Sequence, residues 1–137
     1  MKNVRATARP PIHMIDEEAD ALGDLAISVG KRLPHIGQLL LEEVSRAQIS
    51  SAEALPAGVV TMNAFVEFKD EASDTVRAVQ LVFPRDADIT NGRISILTPI
   101  GAGLIGLSQG QSILWPNRDG NERKLTIVKV DQAATTA

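Results

Sequence analysis

The sequence predicts an α+β protein: a short N-terminal antiparallel helical hairpin, then a C-terminal antiparallel sheet with one helix across it. Three observations predict this. Apolar residues recur at helical spacing through residues 16–49, the period changes to two from Val59 onward, and Thr98-Pro99 marks a lone helix start among the later strands.

Residues 1–15 carry Lys2, Arg5 and Arg9 and are broken by Pro10-Pro11, so they read as a flexible, basic tail. Asp16 has N-cap chemistry. Glu17, Glu18 and Asp20 follow it where carboxylates face the positive end of a helix dipole. Leu22, Leu25, Ala26 and Val29 form the first apolar stripe, and Gly30 and Pro34 stop that helix. A second helix is expected over residues 35–49, with the stripe Ile36, Leu39, Leu40, Val44 and Ala47, and with Glu42, Glu43 and Arg46 mostly off it. Two such helices joined by a short turn pack as a hairpin. Residues 50–58 read as a linker: Ser50 and Glu53 have capping-box spacing, but Pro56 and Gly58 cut off any helix.

Residues 59–131 read as the C-terminal domain. Val60, Met62, Ala64, Val66 and Phe68 alternate with polar residues, Phe65 being the exception, as in a half-buried strand. Residues 75–83 read as its antiparallel partner, residues 84–92 as a loop and residues 93–97 as a third strand. Thr98 caps a helix running to about Leu107, with Pro99 at its favoured first position. Residues 111–115 and 122–130 form a last strand pair around the turn Pro116-Asn117-Arg118-Asp119-Gly120, and residues 132–137 read as a fraying end.

Composition excludes several function classes. No cysteine means no disulfide framework and no thiolate chemistry, which fits a reducing cytoplasm. No apolar run approaches the ~20 residues of a membrane helix, and no apolar stretch follows the early basic residues as in a secretory signal. A soluble, cytoplasmic protein is expected. The net charge of −3 and an aromatic content of 3%, without tyrosine, disfavour direct nucleic-acid recognition, which relies on basic faces and stacking rings. Residues 16–49 hold seven acids and three bases, with Lys31, Arg32 and His35 at the expected hairpin tip and the acids towards its base.

Two motifs imitate catalytic signatures. Gly101-Ala102-Gly103-Leu104-Ile105-Gly106 matches G-x-G-x-x-G, but the next strand arrives too soon for the parallel crossover that a dinucleotide fold requires. Its glycines are expected to let the helix lie close on the sheet, or to leave its outer face flat for a partner. Gly106-Leu107-Ser108-Gln109-Gly110 matches G-x-S-x-G, but in the order helix, turn, strand. The only histidines, His13 and His35, lie upstream, against the hydrolase order. Two histidines and no cysteine argue against structural zinc, so no metal and no cofactor are expected. Asp86 and Asp88 read as a solvated acidic pair, and Trp115 as a ring packed at the sheet edge. Arg46 reads either as a buried organiser or as a cation favoured by the helix C-terminus.

Ser45-Arg46-Ala47-Gln48-Ile49, Leu55-Pro56 and Val59-Val60-Thr61-Met62-Asn63 resemble the junction of the regulator of nucleoside diphosphate kinase (Rnk) family, within the Gre-factor superfamily. Ile96-Leu97-Thr98-Pro99-Ile100-Gly101-Ala102 and Leu104-Ile105-Gly106-Leu107, closing at Gly110, resemble the C-terminal motif that Rnk proteins share with Gre factors. The resemblance implies an FKBP-like C-terminal domain without prolyl isomerase activity. Composition agrees, since an isomerase pocket is lined with aromatics and this domain offers only Phe65, Phe68, Phe83 and Trp115. It further implies that this domain docks on the rim of the RNA polymerase secondary channel while the coiled coil points into the channel. The matching surface here is Thr98, Pro99, Ile100 and Gly101. Cleavage factors of the superfamily carry acidic residues at the hairpin tip, which help to hold a magnesium ion. Lys31 and Arg32 cannot replace carboxylates on that hard cation. The hairpin is also shorter than theirs, so its tip is expected to stop short of the polymerase active centre.

The expected function is a non-catalytic regulator, monomeric or weakly dimeric. It would bind RNA polymerase, compete with Gre-type factors and affect nucleoside diphosphate kinase levels indirectly. The alternatives are a Gre-type transcript-cleavage factor and a regulator in direct contact with the kinase.

Overall fold

The computed structural model describes residues 10–71, 73–116 and 122–132, without the side chains of residues 115, 116, 122 and 123. Expectations that fall on residues 1–9, 117–121 and 133–137, and on the ring of Trp115, lie outside the described residues.

The elements run β1 (His13–Ile15), α1 (Asp16–Ser28), α2 (Pro34–Arg46), β2 (Gln48–Ser50), β3 (Phe65–Asp70) and β4 (Thr75–Val82). Two 3-10 turns follow at Pro84–Asp86 and Ile89–Asn91, then β5 (Arg93–Ser95), α3 (Pro99–Leu104), β6 (Ser112–Pro116) and β7 (Glu122–Asp131). The α+β fold class holds. The larger sheet has five strands in the order β5-β4-β3-β7-β6, and β1 and β2 form a separate parallel pair.

The larger sheet is mixed rather than wholly antiparallel, because β5 returns parallel to β4. Parallel neighbours need a crossover. The 3-10 turns and Gly92, at φ +73°, supply one between Val82 and Arg93. Val66 and Phe68 of β3 point into the core with Val79 and Leu81 of β4, while Phe65, 55% exposed, points out. On β7 the buried residues are Leu125, Ile127 and Val130, a break in strict alternation. The break coincides with a register shift against β3 between Glu67 and Phe68, a bulge that leaves Val128 exposed.

The segment before β3 departs from the expected strand. Val60, Met62, Ala64, Val66 and Phe68 are all buried as the alternation requires. Residues 59–64 nevertheless form no continuous strand: Val59 makes an isolated bridge to Ser108, and the chain turns at Met62 and Asn63, the latter at φ +68°. Val60 exchanges backbone hydrogen bonds with Gly106 and Leu107, whereas Asn63 and Ala64 pair with Leu81.

The hairpin forms as expected, but α1 begins on Asp16, with Ile15 as N-cap, and α2 ends at Arg46 rather than Ile49. Asp16, Glu17 and Glu18 occupy the first turn of α1. Pro34 opens α2, where the missing amide costs no intrahelical bond. The helices approach closely at Gly37: a Cβ there would lie 2.9 Å from the Ala26 carbonyl oxygen. Ser50 starts no helix. The local turn belongs to Ser51, whose hydroxyl accepts from the Ala54 amide at 3.3 Å.

The flexible tail over residues 1–15 is corrected at its end. His13–Ile15 is β1, and Ile12 and Met14 are 1% and 2% exposed. Burying each contributes ~1.5–3 kcal/mol, enough to outweigh the local disorder that Pro10-Pro11 suggests. One continuous core results. Ile12, Met14, Leu22, Ala26, Leu39 and Leu40 share it with Val66, Phe68, Leu81, Leu104, Ile113 and Ile127. Among the described residues no helix is long and apolar enough to cross a membrane.

Candidate partner-binding surfaces

The first surface is the start of α3. Thr98 caps it: its hydroxyl accepts from the Gly101 amide at 3.0 Å and donates to the Ser95 carbonyl at 2.8 Å. The hydroxyl's one proton and one of its two lone pairs are spent on the backbone, so Thr98 serves first to shape the surface. Gly101 is buried, and a Cβ on it would overlap the Ser95 carbonyl oxygen and lie 3.0 Å from Ile96 Cα. Of the four expected docking residues, only Pro99 and Ile100 are therefore both partly exposed and unused by the turn. Ile100 also leans on the core, and α2 packs against α3. A molecule touching Pro99 and Ile100 would therefore meet the C-terminal domain next to the hairpin.

The glycine motif is a packing device. Gly101 seats α3 on the backbone after β5. Gly106, at φ +84°, lets the N-terminal segment close over it: a Cβ would stand 2.9 Å from Ile12 Cβ and 3.0 Å from the His13 carbonyl oxygen. Ser108 lies in the turn after α3. Its amide donates to Gln111 Oε1 at 2.8 Å, and it bridges to Val59.

The second surface is the hairpin tip. Val29 and Leu33 close the turn through a 2.7 Å backbone hydrogen bond. Lys31, Arg32, Leu33, Pro34 and His35 are exposed. No acidic residue occurs between Asp24 and Glu42, so the field at the tip is set by Lys31 and Arg32. Thr98–Gly101 and the tip are thus two separate surfaces at different elements. Among the described residues, no group of three or more His, Asp or Glu side chains is placed to hold a metal ion. Asp88 is not simply solvated: Thr90 Oγ1 and Asn91 Nδ2 each donate to it at 2.6 Å, which holds its carboxyl below the usual aspartate range.

Two polar residues, Glu43 and Glu18, escape the reading of helical spacing, and a third, Arg46, is placed by the structure. Glu43 is 0% exposed rather than off the stripe; its position, three after Leu40 and four after Leu39, is itself stripe spacing. Arg46 fits both readings in part: it stands in the last turn of α2 and, a quarter exposed rather than buried, organises its neighbours. Nε and Nη2 donate to Glu43 Oε1 at 3.1 and 2.8 Å, and Nη1 donates to the Pro10 carbonyl at 2.7 Å. Glu18 reaches from α1 to accept the Met62 amide at 3.0 Å, and burial raises its pKa more than that bond lowers it. Nothing in the first-turn pattern distinguishes Glu18 from its exposed neighbours Asp16 and Glu17.

A helical hairpin set on a mixed sheet with one capped helix is the layout of a Gre-type transcription factor. Residues 55–132 match the family described as "Transcription elongation factor, GreA/GreB, C-term". The chain belongs to that family, in its regulator of nucleoside diphosphate kinase (Rnk) branch. It is 33% identical over 124 residues to the regulator of nucleoside diphosphate kinase of Escherichia coli K12, covering 90% of this chain and 91% of that protein. It is 32% identical over 138 residues to the transcription elongation factor GreA of Acidiphilium cryptum, covering 95% of this chain and 87% of that one. Among solved structures it resembles a GreA/GreB elongation factor from Nitrosomonas europaea, with a TM-score of 0.69 and 35% identity over 90% of this chain and all of that one.

Proposed function

We propose that the protein is a non-catalytic transcription regulator that binds RNA polymerase near its secondary channel and competes there with Gre-type factors. Effects on nucleoside diphosphate kinase would follow from altered transcription. The observation that carries this reading is the pairing of a GreA/GreB C-terminal domain with a hairpin tip that holds Lys31 and Arg32 and no carboxylate between Asp24 and Glu42. The domain supports the partner. The tip opposes transcript cleavage, because a cationic tip cannot hold the magnesium ion that cleavage needs.

The partly exposed Pro99 and Ile100 are the proposed contact on the polymerase. Binding of the full chain to purified core polymerase, in competition with a GreA protein, tests the reading. Expected results are mutual displacement, weaker binding by Ile100→Asp and a smaller loss by Pro99→Ala, with thermal melts confirming that both variants fold. Absence of polymerase binding overturns the function; unchanged binding in both variants overturns the surface. Cleavage of backtracked transcripts by the purified protein would favour the cleavage factor instead.

A further inference from the structure

Residues 10–15 join regions that are far apart in sequence. On one side they meet the base of the hairpin. The Pro10 carbonyl accepts from Arg46 Nη1 at 2.7 Å, the Ile12 carbonyl accepts from the Gln48 amide at 2.9 Å, and β1 pairs in parallel with β2. On the other side they meet the turn between α3 and β6. The His13 amide donates to the Gly106 carbonyl at 3.1 Å, and Gln111 Nε2 donates to the Pro11 carbonyl at 3.2 Å. The Ile12 and Met14 side chains drop into the core between the two. By contrast, the chain that connects the hairpin to the C-terminal domain, residues 51–58, is mostly exposed.

We infer that residues 10–15 are a strap that fixes the angle at which the hairpin leaves the C-terminal domain, with the Arg46 guanidinium as its clasp. The covalent connection is a poor candidate for this task, because an exposed loop resists bending weakly. The strap carries two buried side chains and bonds to both parts, so the hairpin cannot tilt without lifting Ile12 and Met14 or stretching those bonds. The clasp works because one guanidinium has separate nitrogens for the buried Glu43 carboxylate and for the Pro10 carbonyl. The leverage is large: over the ~20 Å of a helix the length of α1, a tilt of about 20° at the base moves the tip by about 7 Å. Where Lys31 and Arg32 come to lie then depends on residues at the opposite end of the hairpin, the strap acting beside the Glu18–Met62 bond and the packing of α2 on α3.

The absence of cysteine makes the test direct. Ser28→Cys at the end of α1 and Ser73→Cys before β4, both exposed, take spin labels in the full chain. Pulsed electron resonance then gives the distance distribution between hairpin and sheet. The otherwise unaltered chain should give one narrow distribution. Ile12→Ala combined with Met14→Ala should broaden it at least twofold or add a second peak. Arg46→Lys, which keeps a cation beside Glu43 but cannot serve Pro10 with a second nitrogen, should broaden it less. A distribution that is already broad without these changes, or one that stays narrow in both variants, overturns the strap. If the double variant loses its sheet signal in circular dichroism, Arg46→Lys decides: no broadening there rejects the inference.

Discussion

The carboxylate of Glu18, in the first turn of α1, accepts the backbone amide of Met62 at 3.0 Å and so ties the hairpin to the turn that precedes β3. Burial raises its pKa, and the Met62 bond opposes that only in part. The folded protein therefore holds a proton on Glu18 at pH values where the unfolded chain has released it. Stability from this group is present below the ordinary glutamate pKa of about 4.3 and is lost as pH rises through the raised value. Glu18→Gln keeps an oxygen acceptor for Met62 and removes the titration. The melting temperature of the variant relative to the parent should rise as pH climbs through that window; a constant difference would refute the assignment.

Gly106 and Gly110 both adopt positive φ, +84° and +93°, but in different surroundings. A methyl group at Gly110 meets nothing within 4 Å, whereas at Gly106 it meets Ile12 and His13. Gly110→Ala should cost only the left-handed backbone term, about 1–2 kcal/mol. Gly106→Ala should cost that plus overpacking of about 1–3 kcal/mol. Urea denaturation of the two variants checks the order.

Thr98→Ala removes the cap of α3 and strands the Gly101 amide, and should destabilise the protein by about 1 kcal/mol. Thr98→Ser should restore most of the loss. Equal stability of the parent and the alanine variant would show that the turn holds without the hydroxyl.

Reversing the tip with Lys31→Glu and Arg32→Glu should leave stability within about 0.5 kcal/mol, because both side chains are exposed. If the tip meets an anionic part of the polymerase, affinity should fall severalfold and its dependence on salt should flatten. Titrations at two ionic strengths read both effects. Unchanged affinity and an unchanged salt slope would confine binding to the C-terminal domain.

Much of the fold was legible because burial follows period. The alternation through Phe68 put Val60, Met62, Ala64, Val66 and Phe68 on the buried face and singled out Phe65, which is exposed, but it also placed Thr61 outward, where the structure buries it. Thr98-Pro99 signalled α3 because capping chemistry is local. What escaped depends on partners distant in sequence. The run over residues 59–64 has strand period but turns at Asn63, where pairing with Gly106, Leu107 and Leu81 decides the backbone. Pro10-Pro11 looked like disorder, since nothing nearby shows that Gly106 leaves room for Ile12. Of the two surfaces, the tip was readable from charge alone, whereas the burial of Gly101 and the internal use of Thr98 depend on where the Ser95 carbonyl sits.

The bond from Gln111 to Pro11 spans 100 residues. Residues 10–15 therefore find their full set of partners only after some 100 further residues have been made. At ~5–20 residues per second, Ile12 and Met14 wait roughly 5–20 s on the ribosome as bare apolar side chains before their seat is made. The core around Ile12 and Met14 therefore cannot close before residues 104–127 exist, and until then these two side chains lack part of their apolar cover.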